Sequence, residues 1–472
     1  MSKCCAFFRA AMLIALTVLV IAAEARGEPV LKAWAGGLGV AYLVCVVREV
    51  RWSRRAFVGI GAALSVFAVA AKPGGAAMVA DALAAGGFVI AFFVALSALR
   101  AAAATSASIR RCGEYLATRT PGKRYLALAL GGHLFSLVLN YGSISLLGTL
   151  VEQAETEADG RPRNAVKVRR MLLAIQRGFA ATLCWSPLSF SMAIGPAVIA
   201  GSSWGGVAGY GIVTALLVIL MGWGLDSAFK PPRPVGAPPP SLPVGSLRSL
   251  VPLLALLATI VAGVGALMAV SGLRVVIAVM AMVPLISLAW IAAQTAWPEN
   301  PDSRVPSVFA ELARRVRDYL GRELEGYKSE MVLLYMAGFI GKIGGDLAHP
   351  LVTTHLLDLS AVPGWAFLVA LVCGLPALGM LGMHPILTAS LIGPLLPDPA
   401  AVGLSPDIML LTMAFGWGLT AVTSPFTATV LLIALFGRVS ALTVGLRWNG
   451  LFLAAGCMLG VVWSLFLATL TG

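Results

Sequence analysis

One stretch of this chain is written twice. Met171–Met192 reads MLLAIQRGFAATLCWSPLSFSM and Met409–Val430 reads MLLTMAFGWGLTAVTSPFTATV. Aligned without gaps, the copies share Met-Leu-Leu, Gly178 with Gly416, Thr182 with Thr420, and Ser186-Pro187 with Ser424-Pro425. Ser189 and Ser191 fall opposite Thr427 and Thr429. A second match lies upstream of each copy, in the same order: Ser143–Leu150 (SISLLGTL) pairs with Thr388–Leu395 (TASLIGPL). Ordered pairs of Pro/Gly-broken segments in corresponding places are the sequence mark of an internally duplicated membrane transporter.

The medium follows from composition. Apolar residues make up 59% of the chain and charged residues 12%, far from the balance of soluble domains. Runs long enough to span a bilayer recur from end to end. The chain therefore reads as an all-α polytopic membrane protein, with no soluble domain of useful size. The net charge of +13 sits in short loops, as positive-inside topology requires. Nucleic acid is excluded as a partner, because it would need a basic folded surface; membrane lipid is the expected surround. The seven cysteines are scattered, with no zinc or disulfide spacing. Lys3 and Arg9 precede an apolar run, and Ala22–Ala25 resembles a signal-peptidase site. An uncleaved first helix is the favoured reading.

Hydropathy predicts helices at about 10–24, 30–47, 56–71 and 77–98, in an N-terminal scaffold spanning 1–124. Arg48–Arg55 and Arg100–Arg124 are basic and expected to be cytoplasmic, the latter partly as an interfacial helix. Residues 125–151 are apolar but interrupted, with basic loops on both sides. That pattern predicts a re-entrant hairpin with its tip near Asn140–Ser145; the alternative, a single span, would export a basic loop. Helix five (171–200, broken at Ser186-Pro187) and helix six (207–225) complete a transport region over 125–225. A proline-rich cytoplasmic linker occupies 226–248. Residues 249–348 repeat the scaffold, with helices at 249–270, 273–295 and 331–348 and an amphipathic interfacial helix at 304–328. Residues 349–472 repeat the transport region: a hairpin at 365–396, helix ten (407–436, broken at Ser424-Pro425) and helix eleven (441–470). The sum is about eleven transmembrane helices and two re-entrant hairpins in two inverted repeats. The N-terminus lies inside and the C-terminus outside an inner (cytoplasmic) membrane.

The candidate site lies where these interruptions meet. Pro187 and Pro425 each remove a helical hydrogen bond and clash with the preceding turn, so each opens its helix near mid-membrane. Freed carbonyls can bind a cation, and the following half-helix presents its N-terminal amides to an anion. Ser186, Ser189, Ser191, Ser424, Thr427 and Thr429 add neutral oxygens and hydroxyl donors. The bland alternative is that they only kink helices and bond back to carbonyls. Hairpin tips supply the rest: Asn140, Gly142, Ser143 and Ser145, then His384, Pro385, Thr388 and Ser390. His384 either carries a proton or hydrogen-bonds an anion, or it caps a turn. Lys342 and Asp346 lie four apart and can pair on one helix face, or serve in coupling. Arg177, roughly 13 Å along the helix from Ser186, either snorkels to inner headgroups or counters a substrate carboxylate. His133 is expected to be structural. No metal or cofactor is expected beyond Na+ or H+ as coupling ion, with Na+ at the hairpin tips.

This layout resembles the ion transporter superfamily, and within it the divalent anion:sodium symporters, with arsenite permeases as cousins. Gly338–Gly345 (GFIGKIGG) is similar to the Gly-rich helix before a hairpin in that group. The resemblance implies an elevator-type transporter, a homodimer, and sodium meeting a substrate carboxylate at Ser-Asn-Thr tips. The first tip here reads Leu139-Asn-Tyr-Gly-Ser143; the second, His384-Pro-Ile-Leu-Thr388, has no asparagine. The expected function is secondary transport of a small organic anion, without enzymatic activity. A cation/proton antiporter is the alternative, with Asp346 as its one plausible carboxylate. A membrane enzyme or lipid-linked-sugar flippase is a third reading, for which the basic loops carry no cluster of acids and histidines.

Overall fold

The computed structural model describes residues 3–118, 121–156, 164–230, 245–296, 307–353, 359 and 362–471. The proline-rich core of the expected linker (231–244), the basic residues 161–163 and the first turn of the expected amphipathic helix (304–306) lie outside the described residues.

In chain order the helices are α1 (Lys3–Arg26), α2 (Pro29–Val46), α3 (Trp52–Ala71), α4 (Gly75–Ala104) and α5 (Ala107–Ala117). Next come α6 (Pro121–Leu139), α7 (Gly142–Thr156), α8 (Ala165–Thr182), α9 (Phe190–Val198) and α10 (Trp204–Ala228). The second half holds α11 (Val251–Ser271), α12 (Val275–Ala296), α13 (Val308–Asp318), the short α14 (Leu324–Gly326) and α15 (Lys328–Thr353). It ends with α16 (Gly364–Met380), α17 (Pro385–Ile392), α18 (Pro406–Thr423), α19 (Ala428–Gly437) and α20 (Gly450–Thr471). No strand occurs among the described residues, as a backbone that must satisfy its own amides in hydrocarbon demands. Ten of the described helical segments are long and apolar enough to cross a membrane. The expected eleventh is α8 with α9. It falls short on composition, because the 18 residues of α8 carry Lys167, Arg169, Arg170 and Arg177. The chain is a multi-pass membrane protein.

It divides into two compact units. The first comprises 1–105, 258–359 and 386–396. In it α4 is the central helix, packed by α15, α12, α2 and α1. An ionic cluster at the protein's edge ties α1 to the start of α15: Arg9, itself buried, pairs with Glu49 and with Glu325 (3.1 Å), and Lys328 pairs with the same two acids at 2.7 and 2.8 Å. Two cations facing two anions leave no net charge beside the buried Arg9. The expected amphipathic helix forms as α13, capped by Ser307, with Arg314 and Arg315 both on Glu311.

The second unit comprises 106–257, 360–385 and 397–472. Here α6 packs along α8 and α16 along α18, each hairpin's first arm on the broken helix of its own repeat. The interfacial stretch after Arg100 folds as α5, which packs on α7 and α6. One expectation fails. Helix eleven is not a single helix: a π-helical segment, Thr443–Trp448, precedes Asn449, and α20 begins at Gly450. The cause is local. A Cβ at Gly445 would lie 2.0 Å from the Thr423 carbonyl oxygen, so the segment presses its bare backbone onto the end of α18. Asn449 then sets its amide against Val422 O near the end of α18 and against Val444 O, which also accepts the Asn449 backbone N–H in the π-turn.

Candidate functional site: two matching helix breaks

Both Ser-Pro segments break their helices. Leu183–Ser189 separates α8 from α9, and Ser424–Thr427 separates α18 from α19. Their internal bonding repeats residue for residue. Ser186 N–H donates to Thr182 O at 2.9 Å, and Ser424 N–H donates to Thr420 O at 2.9 Å. Ser189 N–H reaches Ser186 O at 3.0 Å, and Thr427 N–H reaches Ser424 O at 3.2 Å. The Ser186 hydroxyl accepts from Leu188 N–H at 3.2 Å; the Ser424 hydroxyl accepts from Phe426 N–H at 3.3 Å. Ser189 Oγ donates to Ser186 O at 2.7 Å, and Thr427 Oγ1 donates to Ser424 O at 2.8 Å. Ser191 and Thr429 each donate back eight residues, to Leu183 O and Ala421 O. Proline opens the ladder, and the hydroxyls satisfy the carbonyls it frees. The hydroxyls expected as ligand groups thus hold the breaks open. Their oxygens keep lone pairs for a guest, since a hydroxyl donates once and accepts twice.

The two broken helices pack on each other within this unit, α8 against α18 and α19, and α18 against α9. A Cβ at Gly418 would lie 3.2 Å from Ala180 O, and Ala180 and Gly418 are equivalent positions of the two copies. Each helix also seats on its hairpin through the shared glycine. A Cβ at Gly178 would lie 2.0 Å from Ala129 O, and one at Gly416 would lie 2.3 Å from Leu371 O. Only glycine lets the backbones approach so closely.

The tips differ. Asn140 adopts left-handed backbone (φ 51°) between α6 and α7, and its side chain accepts from Tyr141 N–H at 2.7 Å. Ser143, fully buried, bonds Asn140 O at 2.8 Å and the Ser136 hydroxyl at 2.7 Å. Gly142 starts α7, and Ser145 sits half-buried one turn on. Between α16 and α17 the left-handed residue is Gly382 (φ 94°), two residues before His384 and three before Pro385. Ser424 Oγ donates to Gly379 O at 2.7 Å, binding that arm to its own break. The unit boundary falls just after Pro385, so Thr388 and Ser390 belong to the first unit. There Ser390 lies against Gly341 on α15, a Cβ at Gly341 falling 2.4 Å from its Cβ. In the same helix Lys342 and Asp346 form an ion pair at 2.7 and 2.8 Å.

Two clusters were not anticipated. Beside the first break, Trp185 Nε1 donates to His133 Nε2 at 3.2 Å, and Trp204 Nε1 donates to Trp185 O at 2.7 Å. His133 Nδ1 lies 3.3 Å from Gly178 O. Beside the second break lies Arg177, which does not snorkel: it is 5% exposed. Its Nε donates to Asn449 Oδ1 at 3.2 Å, one terminal nitrogen to Tyr125 Oη at 3.3 Å, and the other to Trp448 O at 3.5 Å. The guanidinium lies over the Phe452 ring, 4.4 Å from its centroid. Asn449 Nδ2 donates in turn to Gln176 Oε1 at 3.0 Å, Val422 O at 3.0 Å and Val444 O at 3.2 Å. One sequence signal could have found this cluster. In the aligned copies the polar pair Gln176-Arg177 stands opposite Ala414-Phe415, so the duplication marks it as an addition to one repeat.

No family model matches the chain, so none bears out the symporter resemblance. No curated protein matches it either. Among solved structures, the crystal structure of the Alcanivorax borkumensis YdaH transporter, described as having an unusual topology, is similar. The match has a TM-score of 0.51 at 17% identity and covers 79% of this chain and 85% of that one. At that identity the likeness is one of fold: this chain shares the helical membrane architecture of a protein described as a transporter.

Proposed function

We propose that this protein is a secondary active transporter that moves a small organic anion across the inner membrane. One observation carries the reading: two helix breaks, equivalent in sequence and bonded alike, packed against each other through equivalent residues. Broken helices survive in hydrocarbon only where they are buried or line a cavity, and in transporters they form the substrate and ion sites. Contact between Ala180 and its equivalent Gly418 fits a two-fold relation between the copies, and the inverted sense of that relation comes from the expected odd number of crossings between the two hairpins. The fold likeness to a transporter supports the same class.

In this reading the hairpins, the broken helices and helices six and eleven form a mobile domain. The remaining helices form the scaffold of a dimer, and the domain slides as an elevator, driven by Na+ or H+. The peptide groups and hydroxyls at Leu183–Ser189 and Ser424–Thr427, with Asn140, Ser143 and His384 from the tips, line the route. The N-terminus faces the cytoplasm. The test is uptake by proteoliposomes holding the purified protein, across a panel of radiolabelled organic anions, under imposed Na+ or proton gradients. Ser186→Ala combined with Thr427→Ala is expected to abolish the uptake that the wild type shows. Unchanged uptake in the double variant removes the breaks from the route.

A further inference from the structure

Arg177 is a cation without an anion. It is 5% exposed, and no carboxylate pairs with it among the described residues. Several part-buried cations elsewhere in the protein do face carboxylates: Arg170 with Asp226 at 2.6 Å, Lys342 with Asp346, and Arg9 and Lys328 with Glu49 and Glu325. A buried charge normally has a partner, because leaving it alone in low dielectric is costly. The groups around Arg177 are neutral: the Asn449 amide, the Tyr125 hydroxyl, the Trp448 carbonyl and the Phe452 ring. They account for three of the five guanidinium N–H donors.

The neighbouring residue tells the same story independently. Gln176 is fully buried, its oxygen accepts from Asn449, and its Nε2 has no partner among the described residues. An orphaned buried amide costs free energy and asks for an explanation. Together the two side chains present four unused N–H donors, one positive charge and no unused carboxylate. Such a donor surplus is complementary to an anion and repels a cation. A carboxylate, with two oxygens and about four lone-pair sites, is the group that meets it.

We propose that Arg177 and Gln176 bind a single carboxylate group of the transported solute, beside the second break. This rests on the transport reading above and sharpens it. Asn449 is a positioning residue here: it orients Arg177 through Oδ1 and ties the pair to Val422 O, two residues before Ser424.

The test separates binding from transport. Purified full-length protein in lipid nanodiscs is titrated with benzoate, acetate, succinate and glutamate, and with benzamide and acetamide as neutral counterparts, following thermal unfolding. At least one carboxylate is expected to raise the wild-type midpoint where its amide does not. Arg177→Met should remove that response while leaving the ligand-free midpoint unchanged or higher, since it deletes an uncompensated charge. Gln176→Leu should weaken the apparent Kd about tenfold, the loss of one charge-assisted hydrogen bond. A ligand-free Arg177→Met protein that unfolds far more readily, with Gln176→Leu still binding carboxylate at wild-type affinity, makes the cluster a structural clamp and overturns the proposal. Carboxylate uptake by proteoliposomes with an unchanged KM in Arg177→Met overturns it while the transport reading stands. No response and no uptake for any anion sinks both.

Discussion

The first and second breaks share a skeleton and differ in what surrounds it. Both are opened by Ser-Pro and closed by hydroxyls at the same offsets. Around the first stand a histidine and two tryptophans; around the second stand an arginine, two amides and a π-turn. The first is capped, Ser189 accepting from Met192 N–H, whereas Thr427 makes no such cap bond. The Ser424 hydroxyl donates to Gly379 O, while Ser186 has no matching acceptor on its hairpin among the described residues. Phe426 is exposed in the second break, and its counterpart Leu188 is half-buried in the first. A duplicated frame kept for its backbone has thus been decorated differently. The shared bonds belong to architecture, and the unshared side chains are where the two halves can take different jobs, one for solute charge and one for ion or neutral contacts.

That contrast can be broken from either side. The largest effect is expected where the frame is identical. Gly178→Ala and Gly416→Ala each drive a methyl into a backbone carbonyl that cannot swing away. Each should cost about 3 kcal/mol or more, read as lost folded protein in detergent. Tolerance of one but not the other would mean the hairpins seat differently. Next comes Asn449→Leu, which orphans the carbonyl of Val422 and loosens Arg177, while Val444 O keeps its bond from the residue 449 N–H. At about 1–3 kcal/mol per stranded buried group, it should destabilise measurably by chemical denaturation. The corresponding stretch of α10 has no such asparagine, so no first-repeat variant should mimic it. The smallest effect tests equivalence itself. Ser191→Ala and Thr429→Val remove the same bond from each break, and each should cost about 1 kcal/mol. Unequal losses would show that one break leans on that bond and the other does not.

How much of this was legible beforehand depends on the range of the cause. Proline acts on its own helix, so Pro187 and Pro425 announced both breaks; the matched glycines Gly178 and Gly416 were visible as a repeat, but the close packing they permit appears only in the structure. The first break begins at Leu183 rather than at Ser186, because turns at Leu183, Cys184 and Trp185 unwind the helix before the proline. Arg177 was misjudged because the helix begins six residues earlier than hydropathy placed it, setting Arg177 near the end of α8, and because its partners, Tyr125 and Trp448–Phe452, are far away in the chain. The π-turn stayed hidden for a similar reason: Thr443–Trp448 has ordinary helix composition, and its distortion comes from Gly445 meeting Thr423.

The central claim is that the paired breaks carry solute from one face of the membrane to the other. It is tested most directly at Thr427, half-buried in the second break. In a background with all seven native cysteines replaced by alanine or serine, Thr427→Cys is exposed to a membrane-impermeant maleimide in right-side-out and in inverted vesicles. The account predicts labelling from both faces, slowed in each by the transported anion. Labelling from one face alone, indifferent to every anion that the protein takes up, would contradict it.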